Sequence, residues 1–247
     1  MTDIRNIVVL TGAGVSAKSG IPTFRTHGAV SYWEYDNPEG VRQRHRVEDV
    51  CTPEALAGDP VLVHRFYDAR RAALAGVEPN AAHLALARLD AEWPGELLIV
   101  TQNVDDLHER AGARRLVHMH GELRSALCAA CGARRPHAGD LPPGSVCPAC
   151  GASALRPDIV FFGEMPYRMA RIEAAVAEAD LFVSIGTSGA VYPAAGFVQM
   201  AAHCGAATLE LNLERSAGSS SFDETRLGLA GVLVPAWVEG ILSVRSW

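Results

Sequence analysis

Residues 6–25 read NIVVLTGAGVSAKSGIPTFR, and this stretch decides the fold. It opens with the apolar run Ile7 to Leu10, rich in β-branched residues, as in a buried parallel strand. In the turn that follows, Gly12, Gly14 and Ala17 have the G-x-G-x-x-G/A spacing of a dinucleotide fingerprint. Glycine lets a backbone approach a pyrophosphate, and the N-terminus of a helix offers free N–H groups. The stretch predicts a strand, a nucleotide-binding turn and a helix, although an ordinary tight turn can have the same spacing.

Strand-like and helix-like segments alternate along the rest of the chain. Apolar runs predict strands at 97–101, 116–120, 159–162, 181–187, 207–213 and 231–235. Helices are predicted over 59–76, over 81–93 behind an Asn80 cap, over 166–179 and 192–204, and over 236–244 behind Pro235. This alternation predicts an α/β fold, a Rossmann-like parallel sheet with helices on both faces.

The stretch 26–46 has no steady period and contains Gly28, Pro38 and Gly40. We expect a long loop with at most one short helix, and loops of this length inside a domain are usually functional. Trp33 and Tyr35 either wall a pocket or anchor the loop.

Composition limits the classes of function. With 247 residues, 49% of them hydrophobic, the chain can form one large domain or a large domain with a small insert. The net charge of −6 gives no reason to expect nucleic-acid binding, and no apolar run is long enough to cross a membrane. No leader-like segment precedes the first strand, so we expect a soluble cytoplasmic protein.

Four of the six cysteines form the pattern C-x2-C-x15-C-x2-C, namely Cys128, Cys131, Cys147 and Cys150. Two CxxC turns at this separation predict a ribbon whose thiolates surround one Zn²⁺ ion. Four thiolates complete the coordination of zinc, so the metal is expected to be structural. Unconnected or redox-active cysteines are the alternative.

Polar or glycine-rich residues follow four of the predicted strands. They are Gly12-Ala13-Gly14, Gln102-Asn103-Val104-Asp105, Gly186-Thr187-Ser188 and Asn212-Leu213-Glu214. The carboxyl ends of parallel strands meet at one edge of a sheet, so we expect these residues to line one cleft. Glycines and hydroxyls suit phosphates, whereas asparagine and glutamate suit ribose hydroxyls; ordinary turns use the same residues.

His118 and His120 lie at the end of the strand predicted at 116–120 and alternate onto the same face. A histidine at a strand end beside a nucleotide cleft suits a general base near neutral pH. A polar edge residue is the alternative interpretation.

The chain resembles the sirtuins, which are NAD-dependent protein-lysine deacylases. The motifs that carry the resemblance are GAGVSAKSGIPTFR, TQNVDDLHERAG, HMHGEL, the two CxxC pairs, GTS and NLE, in this order over nearly the whole chain. The resemblance implies a Rossmann-like domain at 1–25, 80–123 and 157–247, a helical and loop part at 26–79, and a zinc ribbon at 124–156. Acyl-lysine would enter the cleft between the large domain and the small module. Separately, we expect the protein to be a monomer.

The resemblance also implies roles for individual residues. It assigns NAD binding to Gly12, Ala13, Gly14, Ser16, Phe24, Arg25, Gln102, Asn103, Asp105, Gly186, Thr187, Ser188, Asn212, Leu213, Glu214 and Ala230. Phe24 would shield the reactive sugar carbon, and Arg25 would order the loop over NAD. His120 would be the general base, with Asn103 as the second catalytic residue. Residues 159–162 would pair with the substrate as an added strand, and the substrate contacts would come from Val160, Phe161, Phe162 and Gly163.

The mechanism that the resemblance implies consumes NAD. The acyl oxygen attacks the sugar carbon as nicotinamide leaves, which gives an alkylimidate. His120 then takes a proton from a ribose hydroxyl, and that hydroxyl attacks the imidate carbon. Water completes the reaction, which yields free lysine, nicotinamide and 2′-O-acyl-ADP-ribose.

Tyr67 and Arg70 lie at i and i+3 of a predicted helix and share one face. An arginine beside a tyrosine hydroxyl can bind a carboxylate, although spacing alone favours a core tyrosine and a solvated arginine. FYDARR is similar to the class III sirtuins, which remove succinyl, malonyl and glutaryl groups, so the resemblance implies that this pair binds the acyl group. Thr23 departs from the aspartate of most members, and the 26–46 stretch is longer than expected.

We therefore predict a desuccinylase and demalonylase that also removes acetyl groups from protein lysines. A plain deacetylase and a protein mono-ADP-ribosyltransferase are the alternatives within the same cleft. A hydride-transferring oxidoreductase would produce NADH instead of nicotinamide. A zinc-ribbon module for nucleic acid conflicts with the acidic balance of the chain.

Overall fold

Apolar segments far apart in the sequence come together as one parallel sheet. The computed structural model describes residues 4–21, 25–27, 30–36 and 42–243, with side chains at 4–21 and 44–243. The strands are β1 (Asn6–Thr11), β2 (Arg25–His27), β3 (Val30–Asp36), β4 (Arg42–Arg46), β5 (Glu96–Thr101), β6 (Leu116–His118), β7 (Gly121–Cys128), β8 (Arg134–Pro136), β9 (Leu155–Ile159), β10 (Leu181–Ile185), β11 (Ala207–Asn212) and β12 (Glu224–Leu227).

Three of the described helices begin behind a residue whose side chain caps them. They are α1 (Ala13–Ser16), α2 (Val47–Val50), α3 (Pro53–Gly58), α4 (Pro60–Ala73), α5 (Ala81–Glu92), α6 (Leu107–Ala111), α7 (Met169–Ala177), α8 (Phe197–His203) and α9 (Ala230–Ser243). Asp59 caps α4 through Leu62 N–H, and Asn80 caps α5 through Ala82 N–H, as predicted for Asn80.

The parallel sheet has the strand order of a Rossmann fold. Its order is β12-β11-β10-β1-β5-β6. Counted in chain order within this sheet, from the β6 edge, the order reads 3-2-1-4-5-6. The order reverses between β1 and β10, and in this fold the ligand crevice lies at that reversal, at the carboxyl ends of the strands.

Each face of the sheet carries its own apolar core. Alternate residues of β1 point to opposite faces, so Ile7 and Val9 pack with α5 and α9, while Val8 and Leu10 pack with α7 and α8. The predicted α/β fold with helices on both faces is confirmed.

The small module has two further cores. One contains Val63, Phe66 and Tyr67 of α4 together with Phe161. The other contains Cys128 and Cys147, beside the antiparallel sheet β8-β7-β9. The exact domain boundaries given above stay a prediction.

The predicted loop at 26–46 is wrong where the structure describes it. The strands β2, β3 and β4 form an antiparallel sheet, in which Tyr32 pairs with Arg46. Val30 to Tyr35 is rich in aromatic and β-branched residues, which favour strands, and this outweighs the glycines and the proline on either side.

Two other element predictions also need correction. Residues 231–235 are not a strand, because α9 runs continuously from Ala230 and contains Pro235. Val234, Trp237 and Val238 have helical spacing and are buried against the sheet, so their burial stabilises a helix despite the N–H that Pro235 lacks. The strand predicted at 159–162 lies earlier, as β9, and ends at Ile159. No helix in the described part of the chain is long and apolar enough to cross a membrane.

Candidate active site

The glycine turn after β1 lies directly against the glycine turn after β10. Gly12 N–H donates to the Ile185 carbonyl at 3.0 Å, and Gly14 N–H donates to the Gly186 carbonyl at 2.9 Å. A methyl group on Gly14 would lie 2.7 Å from Cα of Gly186, so this contact requires glycine. Bare backbone therefore lines the crevice at the strand-order reversal, where the predicted pyrophosphate would lie, and Ala13 is half-buried within this turn.

A buried polar network supports this turn from below. The Asn103 amide donates to the Gly12 carbonyl at 3.1 Å and to Ser16 Oγ at 3.0 Å. Ser16 Oγ donates to Asp105 Oδ2 at 3.0 Å, and burial raises the pKa of Asp105. Three residues predicted to bind NAD thus form one network. Because the Ser16 hydroxyl faces inward, it orients Asn103 and Asp105.

His120 lies just beyond β6 with its ring held by the backbone of the neighbouring strand end. Nδ1 lies 3.2 Å from the Gln102 carbonyl oxygen, so Nδ1 carries the proton and Nε2 keeps a free lone pair. Burial lowers the pKa of His120, although the Gln102 carbonyl opposes this effect. The side chain is therefore neutral at pH 7 and able to accept a proton.

His118 has a different environment from His120. Its Nδ1 lies 3.0 Å from the Asn103 carbonyl oxygen and its Nε2 lies 2.7 Å from Glu109 Oε1. Burial alone would lower the pKa of His118, but the bond to Glu109 and the charges of Glu109 and Glu122 raise it. His118 therefore holds the Asn103 backbone and is not the free base of the site.

The strand ends β10 and β11 form the other end of the crevice. The Asn212 amide donates to the Thr187 carbonyl at 2.7 Å, and Gly228 N–H donates to the Asn212 carbonyl at 2.8 Å. Ser188, Leu213 and Glu214 are exposed, and Ala230 begins α9 two residues beyond Gly228. The residues predicted to hold adenosine are thus brought together, with Glu214 open to solvent.

For two of the residues predicted to contact NAD, the side chain lies outside the part of the chain that the structure describes. Phe24 lies outside the described residues, as does the unusual Thr23. Arg25 begins β2, but its side chain is not among those described. Their predicted roles stay predictions.

The predicted substrate edge is only partly available for pairing. Val160 N–H donates to the His120 carbonyl and Phe162 N–H to the Cys51 carbonyl, both at 2.9 Å. Phe161 N–H donates to Glu164 Oε2 at 2.8 Å. These three N–H groups are already bonded within the chain, so an added strand would have to bond to carbonyl groups of this stretch, and the pairing predicted over 159–162 stays a prediction. Gly163 is exposed at φ +90° and begins the part of the edge that remains.

Tyr67 and Arg70 lie side by side at the base of this edge. The Arg70 guanidinium carbon is 5.8 Å from the centroid of the Tyr67 ring, which stacks on Phe161 at 6.0 Å. Tyr67 is fully buried, and its hydroxyl has no hydrogen-bond partner of ordinary geometry among the described residues. Burial raises the pKa of Tyr67, so the hydroxyl stays a donor. Burial lowers the pKa of Arg70, and its interactions with Tyr67, Cys51 and, least of the three, Asp105 oppose this effect.

The four cysteines of the two CxxC turns lie close together. The Sγ atoms of Cys128 and Cys150 are 3.7 Å apart, those of Cys131 and Cys147 are 3.9 Å apart, and all four lie within 4.8 Å of one another. Zn–S bonds of about 2.3 Å in a tetrahedron place sulfurs about 3.8 Å apart. The cluster therefore fits a structural Zn²⁺ ion.

Two buried histidines that the motifs did not single out complete the network below the crevice. His83 Nε2 lies 3.4 Å from Ser16 Oγ, and His108 Nε2 lies 3.1 Å from Thr11 Oγ1. His83 Nδ1 also accepts from Asn80 N–H at 3.2 Å, which closes a capping box. The spacing of Asn80 and His83 could have identified His83. His108 stands in the TQNVDDLHERAG motif, but no local pattern predicts its buried contact with Thr11.

Comparison with protein families and curated proteins gives a consistent result. The model of the Sir2 family matches residues 12–193. The chain is 53% identical over 245 residues to the NAD-dependent protein deacylase of Vibrio parahaemolyticus serotype O3:K6, covering 98% of this chain and 97% of that protein. It is 52% identical over 247 residues to the NAD-dependent protein deacylase of Caulobacter vibrioides, covering 98% and 99%.

Solved structures of the same kind resemble the whole fold. A Sir2 homologue in complex with NAD has a TM-score of 0.85 and 36% identity, covering 98% of this chain and 91% of that chain. A Sir2 structure bound to acetylated peptide has a TM-score of 0.77 and 25% identity, covering 96% and 94%. The similarity thus extends over both the parallel sheet and the small module.

Proposed function

Since the chain belongs to the Sir2 family and is an NAD-dependent protein deacylase, we propose that it acts best on lysines that carry acidic acyl groups, succinyl and malonyl. NAD is its co-substrate, and acylated lysine side chains of proteins are its substrates. The relatives carry the general name deacylase, so the acyl preference is argued from the site itself.

The crevice residues fit NAD through bare backbone and directed polar groups. The glycines let the two turns approach closely, because a side chain at Gly12, Gly14 or Gly186 would collide with the other turn. The backbone left bare at the crevice suits a pyrophosphate. Bound NAD supplies an activated glycosidic bond to nicotinamide. Asn103 and Asp105 would hold the nicotinamide ribose, and Asn212 with the exposed Glu214 would hold the adenosine end.

His120 is the residue we assign to proton transfer. Its Nδ1–H is committed to the Gln102 carbonyl, so the ring is oriented and Nε2 can accept a proton from a ribose hydroxyl. Its lowered pKa keeps it in the accepting form at neutral pH.

The observation that carries the acyl preference is the buried Tyr67 hydroxyl beside the Arg70 guanidinium. This hydroxyl interacts with the thiol of Cys51 but has no hydrogen-bond partner of ordinary geometry among the described residues. A buried hydroxyl whose hydrogen bonding is weak costs stability, so a ligand oxygen that accepts from it recovers part of that cost. A carboxylate can accept from Tyr67 and Arg70 together, and such charge-assisted bonds are short and directional. Phe161 provides the apolar wall along which the acyl chain would reach the pair.

An acyl panel with one substitution tests this proposal. The kcat/KM values of acetyl-, malonyl-, succinyl- and glutaryl-lysine peptides are compared by mass spectrometry, with nicotinamide and 2′-O-acyl-ADP-ribose as products. In Arg70→Met, we expect succinyl and malonyl turnover to fall about 10- to 100-fold while acetyl turnover changes about twofold or less, because charged hydrogen bonds contribute about 1.5–3 kcal/mol.

Two controls accompany this comparison. Arg65→Met removes an exposed arginine of the same helix and should leave all acyl groups unaffected. Tyr67→Phe removes only the hydroxyl and should give a smaller loss of the same selectivity. Equal losses for acetyl and succinyl substrates in Arg70→Met would leave a plain deacetylase as the better description, whereas transfer of ADP-ribose onto the peptide would indicate the transferase. The cytoplasmic location, the monomeric state and the lack of nucleic-acid binding stay predictions.

A further inference from the structure

Helix α4 carries two groups of side chains on adjacent faces. Tyr67 and Arg70 are the acyl-recognition pair, while His64, Asp68 and Arg71 lie at i, i+4 and i+7 and share a second face. His64 is 3% exposed, and the side chains of Asp68 and Arg71 are 12% and 4% exposed. Polar side chains this deep are normally bonded, and charged ones are normally paired.

All three side chains bind the backbone of the zinc-binding module or of the strand that leads into it. Leu141 N–H donates to Asp68 Oδ1 at 3.0 Å, and His64 Nδ1 lies 2.5 Å from the Leu141 carbonyl oxygen. Arg71 donates to the Gly139 carbonyl at 2.9 Å and to the Leu123 carbonyl at 2.5 Å. Arg71 also donates to Asp68 at 2.6 Å, which compensates its buried charge.

Leu141 connects these bonds to the cysteine cluster. Its side chain is 1% exposed and packs in the core that contains Cys128 and Cys147. The backbone of one residue is thus bonded on both sides to α4, while its side chain packs against metal ligands. This gives a continuous physical path from the cysteine cluster to the helix that carries Tyr67 and Arg70.

We propose that His64, Asp68 and Arg71 are positioning residues for acyl selectivity, which hold α4 against the zinc-binding module so that Tyr67 and Arg70 can bind an acidic acyl group. This inference rests on the proposed function, because it concerns the residues that bind the carboxylate. It assigns to the zinc-binding module an effect on substrate choice in addition to its structural role.

The expected selectivity for acidic acyl groups follows from how succinyl and acetyl groups contact Tyr67 and Arg70. A carboxylate bound by a hydroxyl and a guanidinium depends on distance and angle, and a shift of about 1 Å can weaken it severely. An acetyl group has no carboxylate and makes no such bonds with the pair. Loosening α4 should therefore reduce turnover of succinyl-lysine much more than turnover of acetyl-lysine.

The central experiment removes the shared acceptor with Asp68→Ala. The measured quantity is the succinyl-to-acetyl ratio of kcat/KM, and we expect it to fall about 5- to 30-fold with acetyl turnover changed about twofold or less. Asp68→Asn retains an oxygen that can accept from Leu141 N–H but loses the charge that compensates Arg71, so it should restore part of the ratio. Arg65→Met, on the exposed face of the same helix, should leave the ratio unchanged.

A second readout does not depend on activity. Hydrogen exchange over residues 60–73 is measured by mass spectrometry in the unliganded protein. Exchange should be faster in Asp68→Ala than in the parent chain, and faster in the parent chain after a chelator removes the metal. Unchanged protection of this segment in both cases would overturn the inference.

Comparison with Arg70→Met separates the two hypotheses. If Arg70→Met leaves the ratio unchanged, the proposed function is wrong and this inference falls with it. If Arg70→Met lowers the ratio but Asp68→Ala does not, the inference alone is overturned. The same holds if Asp68→Ala reduces turnover of both substrates equally.

The double variant should show no lower ratio than Arg70→Met, because both substitutions remove the same contact. A further additive loss would contradict the inference. If Asp68→Ala does not fold, His64→Ala replaces it. Loss of the bond to the Leu141 carbonyl should lower the ratio in the same direction, and an unchanged ratio would overturn the inference.

Discussion

Histidines around the crevice differ in protonation because their immediate neighbours differ. His120 has one carbonyl partner and a lowered pKa, whereas His118 bonds to a carboxylate and has a raised pKa. His83 and His108 are buried with no acidic partner among the described residues, and burial lowers their pKa values to about 4 and about 3. Residue type alone does not assign the base; the partner of each ring nitrogen does.

The assignment of His120 as general base gives a prediction for this residue. His120→Asn should reduce kcat about 10²- to 10⁴-fold while the Kd for NAD stays within about twofold, because the substitution removes the proton acceptor and leaves the NAD contacts. Since burial lowers the pKa of His120, the acid limb of kcat/KM in the parent chain should have its midpoint below pH 6.5. Calorimetric NAD binding and a pH–rate profile test both points. An acid limb centred well above pH 6.5, or loss of NAD binding in the variant, would contradict the assignment.

At the level of secondary-structure elements, the turns after the strands determine the shape of the candidate active site. The turn after β1 and the turn after β10 touch through backbone atoms, and the Asn103 amide supports the first of them. The crevice is thus shaped by two loops that are distant in sequence and held together by strand pairing between β1 and β10.

Gly14→Ala tests this contact between turns. The new methyl group would lie 2.7 Å from Cα of Gly186, so one turn must move. We expect NAD affinity to fall about tenfold or more and stability to fall by about 1–3 kcal/mol, because backbone must shift to relieve the overlap. NAD titration and thermal unfolding provide the measurements.

Gly58→Ala is the matched control for that substitution. Gly58 lies in α3, and a methyl group there would meet no atom within 4 Å. It should leave NAD binding unchanged and should not destabilise the protein, because alanine favours helix over glycine. Equal effects of the two substitutions would argue against the close approach of the turns.

At the scale of the whole molecule, the buried histidines couple stability to pH. The folded-state pKa values of His83 and His108 lie below the ordinary 6.5, so the unfolded chain binds more protons between these values. Stability is therefore expected to fall as the pH is lowered from about 6.5 towards 4, before most carboxylates titrate.

His108→Gln should reduce that pH dependence. Removing this one titrating group should reduce the loss of unfolding free energy between pH 6.5 and 4.5 by roughly 2 kcal/mol, because one pKa unit corresponds to about 1.4 kcal/mol. Denaturant unfolding at several pH values measures it, with the exposed His203→Gln as control. An unchanged slope in His108→Gln would show that His108 does not stay neutral in the folded protein.

Some features were determined by the sequence because they depend on local patterns. The alternation of strands and helices, the glycine turn at 12–14 and the Asn80 cap all follow from spacing within a few residues. The four cysteines likewise predicted a metal site whose sulfurs the fold brings within 4.8 Å. The family resemblance came from motifs spread along the chain, and the Sir2 family match confirms it.

Other features were decided only by tertiary structure, because they depend on partners distant in the chain. The apolar run at 231–235 is compatible with a buried strand and with a buried helix. Packing of Trp237 and its neighbours against the sheet favours the helix. The N–H groups of Val160 and Phe162 donate to the carbonyls of His120 and Cys51, and no local sequence pattern predicts these bonds. The bonds of His64, Asp68 and Arg71 to the zinc-binding module and to the strand that leads into it span 52 to 77 residues of sequence. The sequence therefore determined which chemistry is present, while long-range backbone contacts decided how the groups that perform it are held.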